Sequence, residues 1–184
     1  MKAAGVQGTL RLVVFLVVWA IASPVTAESE SATATAESES ATWSIVRQVV
    51  FDPTTYAPAI TSFAAERVDW KSSQVFFQHG YLEQNPQFTV SGLPNDAPLD
   101  YDAGKRQING NALRDLGVSA INNTAARIVE RMLMEHYPGR RKLIRTIGWI
   151  ERISFAVTFA TIQSSNHFRQ WRENERLARE SGYK

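Results

Sequence analysis

Residues 69–86 read D-W-K-S-S-Q-V-F-F-Q-H-G-Y-L-E-Q-N-P. The run opens as a helix pattern, stops at Gly80 and turns through a dense polar set that ends at Pro86. Phe63, Trp70 and Phe77 recur at seven residues, as do Val68, Val75 and Leu82. Two adjacent apolar stripes predict a helix buried on a wide face. Gly80 is the expected stop, because glycine takes the left-handed cap conformation at little cost.

Upstream, Asp52-Pro53 pairs a capping side chain with a proline suited to the first helical position. Pro58 follows too soon for an unbroken helix, so a turn is expected at 53–57 and the helix from about Ala57 to His79. Trp43–Phe51 is short and β-branched and reads as a strand or a helical turn.

Downstream, 87–104 holds Gly92, Pro94, Asn95, Asp96, Pro98 and Gly104 and reads as a long loop. A second helix is predicted from Gly104 or Lys105 to Tyr137, on the spacing of Ile108, Ala112, Leu116, Ile121, Ala125, Ile128 and Met132. Pro138-Gly139 ends it. A third runs from Arg140 to about Ser164, with Leu143, Ile147, Ile150, Val157, Phe159 and Ile162 as its apolar set. A last amphipathic segment spans Asn166 to Ser181. The fold class is therefore all-α: a small bundle of three to four helices over 43–184.

Two segments precede it. Lys2 and Arg11 flank an eleven-residue apolar run, Leu12 to Ala22, and Val25-Thr26-Ala27 places small residues before a cut after Ala27. This is the pattern of a secretory signal peptide over 1–27. Residues 28–42 repeat E-S-E-S-A-T and carry nothing large to bury, so they read as a disordered tether. The expected location is the periplasm or the exterior, with membrane association open.

The chain carries no cysteine, which excludes disulfides and thiolate chemistry. Residues 43–184 hold 18 basic and 14 acidic residues. The late arginines alternate with Glu173, Glu175 and Glu180, as on a solvated helix face, and nucleic acid is not the expected partner. Arg140, Arg141 and Lys142 either form a solvated turn or touch anionic lipid. The third helix has the length of a membrane span, but Arg145, Glu151 and Arg152 interrupt it. Central charges cost about 2.5–3.5 kcal/mol each on insertion. A helical domain outside the bilayer is preferred to an integral membrane protein.

Ser73, His79, Gly80, Glu83, Asn85 and Pro86 together form a helical hydroxyl followed by H-G-x-x-E-x-N-P. This resembles a signature of small bacterial helical membrane proteins, a domain of unknown function. The resemblance covers about residues 66–169. It implies a helix after the N-P turn and an asparagine ending the last helix, a place Asn166 fills. It implies no activity.

For the chemistry, His79 and Glu83 are four apart, the spacing of metal ligands on one helical face. Gly80 lies between them and breaks that face, so neither a metal nor another cofactor is expected. Ser72 or Ser73 with His79 and Glu83 could compose a hydrolase triad, but neither serine has a nucleophile elbow. The preferred reading is a half-buried polar cluster, with Asp69, Ser73, His79, Glu83 and Asn85 facing Asn122, Asn166 and His167. Such a cluster fixes helix register more often than it catalyses. The chain thus reads as an exported, non-enzymatic helical module acting by packing or binding near the cell envelope. A small hydrolase or metal-dependent enzyme at His79/Glu83 is the alternative.

Overall fold

The computed structural model describes residues 42–183, and its compact unit begins at Ile45. The expected signal peptide and all but the last residue of the expected tether lie outside the described residues. Residues 42–50 are helical (α1), which resolves the ambiguous Trp43–Phe51 run. Three long helices follow: α2 (Pro53–Gln78), α3 (Tyr101–His136) and α4 (Arg141–Glu180). Short 3-10 turns occupy Pro86–Phe88 and Pro138–Arg140. Among the described residues there is no strand, and only the isolated bridges Glu83–Asp96 and Thr89–Pro98 form. The chain is an all-α small bundle.

Each boundary has a local cause. Asp52 is extended and accepts from the Thr54 N–H at 3.1 Å, so α2 starts at Pro53 and not at Ala57. Pro58 lies inside this helix and is fully buried. It removes only a bond near the first turns, and packing on both sides holds the helix together. α2 ends at Gln78, and Gly80 takes a φ of 83°. Asp100 accepts from the Ala103 N–H at 2.7 Å, so α3 starts at Tyr101, before the expected end of the loop.

The largest correction concerns α4. The predicted third helix and the last segment are one helix of 40 residues. No glycine or proline occurs from Trp149 to Ser181. The Ser164 hydroxyl donates back to the Ala160 carbonyl at 2.7 Å, and the Asn166 side chain accepts from Arg169 at 3.1 Å. These polar side chains are satisfied within the helix and do not break it.

α2 is the central element and packs on both α3 and α4. It runs antiparallel to α3, pairing Thr55 with Asn123, Ser62 with Asp115 and Glu66 with Asn111. It runs parallel to α4, pairing Asp52 with Arg152 and Asp69 with His167. The main apolar cluster is small: Trp70, Phe88 and Ile108, with Phe77 and Leu99 against it. The Trp70 and Phe88 rings stack at 5.2 Å, and Trp70 Nε1 donates to the Tyr101 carbonyl at 3.2 Å. A side chain at Gly104 would overlap the Trp70 indole, so only glycine lets α3 approach here.

The rest of the seam is polar. Ser62 donates to Asp115 at 2.7 Å, Asn111 to Glu66 at 2.9 Å and Asn123 to Thr55 at 2.7 Å. Near the α2 N-terminus, Asp52 Oδ2 takes Arg127 at 2.9 Å and Arg152 at 3.1 Å. Arg152 also binds Glu130 at 2.9 Å. Burial works against the Asp52 carboxylate, but its hydrogen bonds to Thr54 and Arg127 and the charge of Arg152 outweigh it and hold the acid below its ordinary value.

Many residues expected in the core are therefore outside. Ile121, Met132, Leu143, Ile147, Ile150, Val157 and Ile162 are all exposed. The facing surfaces are filled by alanine, serine, asparagine and paired charges, and the bulky apolar side chains are displaced outward. No helix among the described residues is long and apolar enough to cross a membrane.

Candidate functional site

The C-terminal half of α2 carries Glu66, Asp69 and Ser73 at helical spacing. All three border one small space together with Trp70, Glu83, Asn85, Phe88 and His167. His167 comes from the middle of α4, and Glu83 and Asn85 from the turn after Gly80. Three segments distant in sequence thus supply one polar cluster.

Its bonds are specific. His167 Nδ1 donates to Asp69 Oδ2 at 2.7 Å. One turn pair further along α4, Asn174 donates to Ser73 Oγ at 2.9 Å, to Ser72 Oγ at 3.0 Å and more weakly to Asp69 Oδ1 at 3.4 Å. Gln170 donates to the Asn174 carbonyl oxygen at 3.0 Å and fixes which way the amide points. On the loop side, Glu83 Oε1 accepts from the Asn85 N–H at 2.7 Å. Asn85 Oδ1 accepts from the Gln87 N–H at 3.1 Å and caps the short turn at Pro86–Phe88. The motif E-x-N-P therefore shapes its own loop and aims Glu83 inward.

Charge is unevenly shared. Three carboxyl groups, Glu66, Asp69 and Glu83, surround a single imidazole. The Asp69 hydrogen bond raises the His167 pKa, partly opposed by burial and reinforced by the charges of Asp69, Glu66 and Glu83. Burial pushes the Glu66 carboxyl up, and Asp115 adds to this, against the Asn111 hydrogen bond. Burial likewise raises Glu83, with Asp69 adding repulsion against the Asn85 N–H. Burial, more than repulsion from the neighbouring acids, thus favours the protonated forms of Glu66 and Glu83.

The small space measures about 30 Å³. A wider cleft of about 580 Å³ opens beside it. Asp69, Ser73, Glu83, Asn85, His167 and Asn174 border the cleft, and Phe76, Phe77, Tyr81, Leu82 and Leu177 supply apolar walls. Pockets of roughly 300–1,000 Å³ with apolar walls and few placed polar groups suit small molecules.

Of the eight residues singled out from sequence, five meet at the small space: Asp69, Ser73, Glu83, Asn85 and His167. Asn166 borders only the wider cleft and bonds Arg169. His79 is exposed, donates from Nδ1 to the Val75 carbonyl at 2.7 Å and stacks on Tyr183 at 3.8 Å. Asn122 lies elsewhere, donating to Glu151 at 3.3 Å. Asn174, Glu66 and Asn111 were not anticipated. A signal existed for the first, since Asn174 follows His167 by seven residues, two turns along one face.

The arrangement is poorly set for nucleophilic catalysis. The Ser72 and Ser73 hydroxyls donate to the Asp69 carbonyl at 2.9 and 3.0 Å and accept from Asn174. Their hydrogens are thus committed to the helix and not to an imidazole. Among the described residues no group of three histidine or acidic side chains is placed to hold a metal ion. The cluster can hold or release protons, orient a hydrogen-bonding ligand and tie α2 to α4. No family model, curated protein or solved structure matches the chain.

Proposed function

We propose that the chain is an exported, non-enzymatic helical module at the cell envelope that binds a small ligand in the cleft between α2, the 79–86 turn and α4. One observation carries this reading. A cleft of about 580 Å³ combines apolar walls with a floor of oriented polar groups. The Asp69–His167 and Asn174–Ser73 bonds hold that floor rigid across two helices. Positions held by mutual hydrogen bonds present a fixed pattern to a ligand and lose little entropy on binding. Asp69 and Glu83 face the cleft beside His167, with Arg169 on its border, so the fitting ligand has an apolar body and a donating, cationic head that meets the two acids.

The test uses 2-phenylethylamine and phenylacetate as paired probes, followed by amide and side-chain NMR shifts. The amine is expected to move Asn174, His167 and Leu82, and the acid to leave them in place. Shifts confined to other surfaces, or equal for both probes, would remove the cleft as the binding site. Conversion of either probe would revive the enzyme reading.

A further inference from the structure

The α3–α4 hairpin runs on past the start of α2. Asp52, just before α2, is bound by Arg127 and Arg152, so the segments 131–147 lie beyond its reach. Within 131–147 only Met134 and Ile144 are half-buried, and every other residue is exposed. Leu133, Tyr137, Leu143 and Ile147 are among the exposed large side chains, and Trp149 and Ile150 continue that surface. The same segment holds five basic residues, Arg131, Arg140, Arg141, Lys142 and Arg145, against the single acid Glu135. Arg131 is paired with Glu135 at 2.9 Å. Among the described residues the other four cations have no carboxylate partner. The tip is thus apolar on its flanks and cationic at its end.

We infer that this tip docks on an anionic phospholipid surface. The end of the hairpin brings Arg140, Arg141 and Lys142 to the phosphates, while Tyr137, Leu143 and Ile147 enter the interface behind them. Charge decides between occupants. A second copy of this chain would bring four like unpaired cations to the same place, and repulsion would oppose that contact. A surface of anionic lipid attracts them, and aromatic and aliphatic side chains flanking a basic cluster gain by entering the headgroup boundary. The tip shares no residue with the cleft.

The experiment compares sedimentation of the full chain with phosphatidylcholine vesicles, with and without phosphatidylglycerol. Wild type and Arg140→Gln/Arg141→Gln/Lys142→Gln share the same N-terminal segments, so binding through those cancels. Each basic residue near such a surface contributes roughly fivefold in affinity, so the triple variant loses about a hundredfold on phosphatidylglycerol vesicles. These side chains are exposed and, among the described residues, without a carboxylate partner, so its circular dichroism stays that of wild type. Leu143→Ser/Ile147→Ser weakens binding without removing its dependence on phosphatidylglycerol. Equal binding of wild type and triple variant, or binding indifferent to phosphatidylglycerol, would overturn the inference. So would a concentration-dependent dimer lost in Leu143→Ser/Ile147→Ser, which assigns the tip to a second copy.

Discussion

His167 Nδ1 lies 2.7 Å from Asp69 Oδ2, across 98 residues of sequence and between parallel helices. The bond does two things. It fixes the register of α4 on α2, and it sets an imidazole among a crowded set of carboxyl groups. Both follow from the placement of His167 inside an unbroken helix.

Stability should fall as pH rises from weakly acid to alkaline. His167, Glu66 and Glu83 all have raised pKa values. A group whose pKa is higher in the folded state stabilises fully below its unfolded pKa and loses that contribution as pH climbs through the folded one. The losses begin above 4.5 for the two glutamates and above 6.5 for His167. Asp52 has the opposite sign, and its contribution goes as pH drops below 3.8. Urea unfolding across this range is expected to place the maximum on the acid side of neutral. In His167→Gln the upper part of the slope should flatten.

Glu83→Gln removes a carboxylate that burial and Asp69 already disfavour. The amide oxygen can still accept from the Asn85 N–H. At pH 8 this variant should be at least as stable as wild type by thermal melting, with the difference vanishing at pH 4. A large loss at pH 8 would mean that the charge itself holds the loop.

Asn174→Leu deletes the donor that bridges Ser72 and Ser73. Both hydroxyls keep the Asp69 carbonyl as acceptor, so no hydroxyl hydrogen is stranded. The expected cost is about 1–3 kcal/mol, read from denaturant midpoints. Hydrogen exchange should rise in the C-terminal turns of α4 before it rises in α3.

Arg152→Leu strips Asp52 and Glu130 of a nearly buried cation. Leaving such charges uncompensated costs about 3–5 kcal/mol. Glu130→Leu added to it should cost less than the sum of the two single changes, because one stranded charge is removed. A double-mutant cycle in urea measures the difference.

Gly104→Ala is a sharper test of the apolar cluster. The added methyl meets Trp70, which stacks on Phe88. Overpacking of this kind costs about 1–3 kcal/mol, and Trp70 fluorescence should change with it.

The fold class was legible because proline and glycine punctuate the chain between helix-period runs. The boundary at Asp52 was misplaced because Pro58 looked like a breaker, although a proline near a helix start removes little. The continuity of α4 is hidden in the sequence because the polar run Ser164-Ser165-Asn166 interrupts the apolar spacing without breaking the helix. The inside of the bundle was less legible. Apolar periodicity pointed to Ile121, Met132 and Ile147, and all three are exposed. The seam has a periodicity of its own, in polar residues: the buried Asn111, Asp115, Ser119 and Asn123 on α3, and the buried Ser62 and Glu66 with the half-buried Asp69 and Ser73 on α2. Reading only hydrophobic spacing overlooks a seam of this kind. Half of the site came from the E-x-N-P turn, whose backbone bonds are local. The other half needed the α2–α4 register, which only the folded chain supplies.

The most direct test of the α2–α4 lock is the titration of the His167 imidazole by NMR, in wild type and in Asp69→Asn. The pairing predicts a wild-type pKa above 6.5, returning toward that value when the carboxylate is replaced. A wild-type pKa at or below 6.5, unmoved by Asp69→Asn, would contradict it.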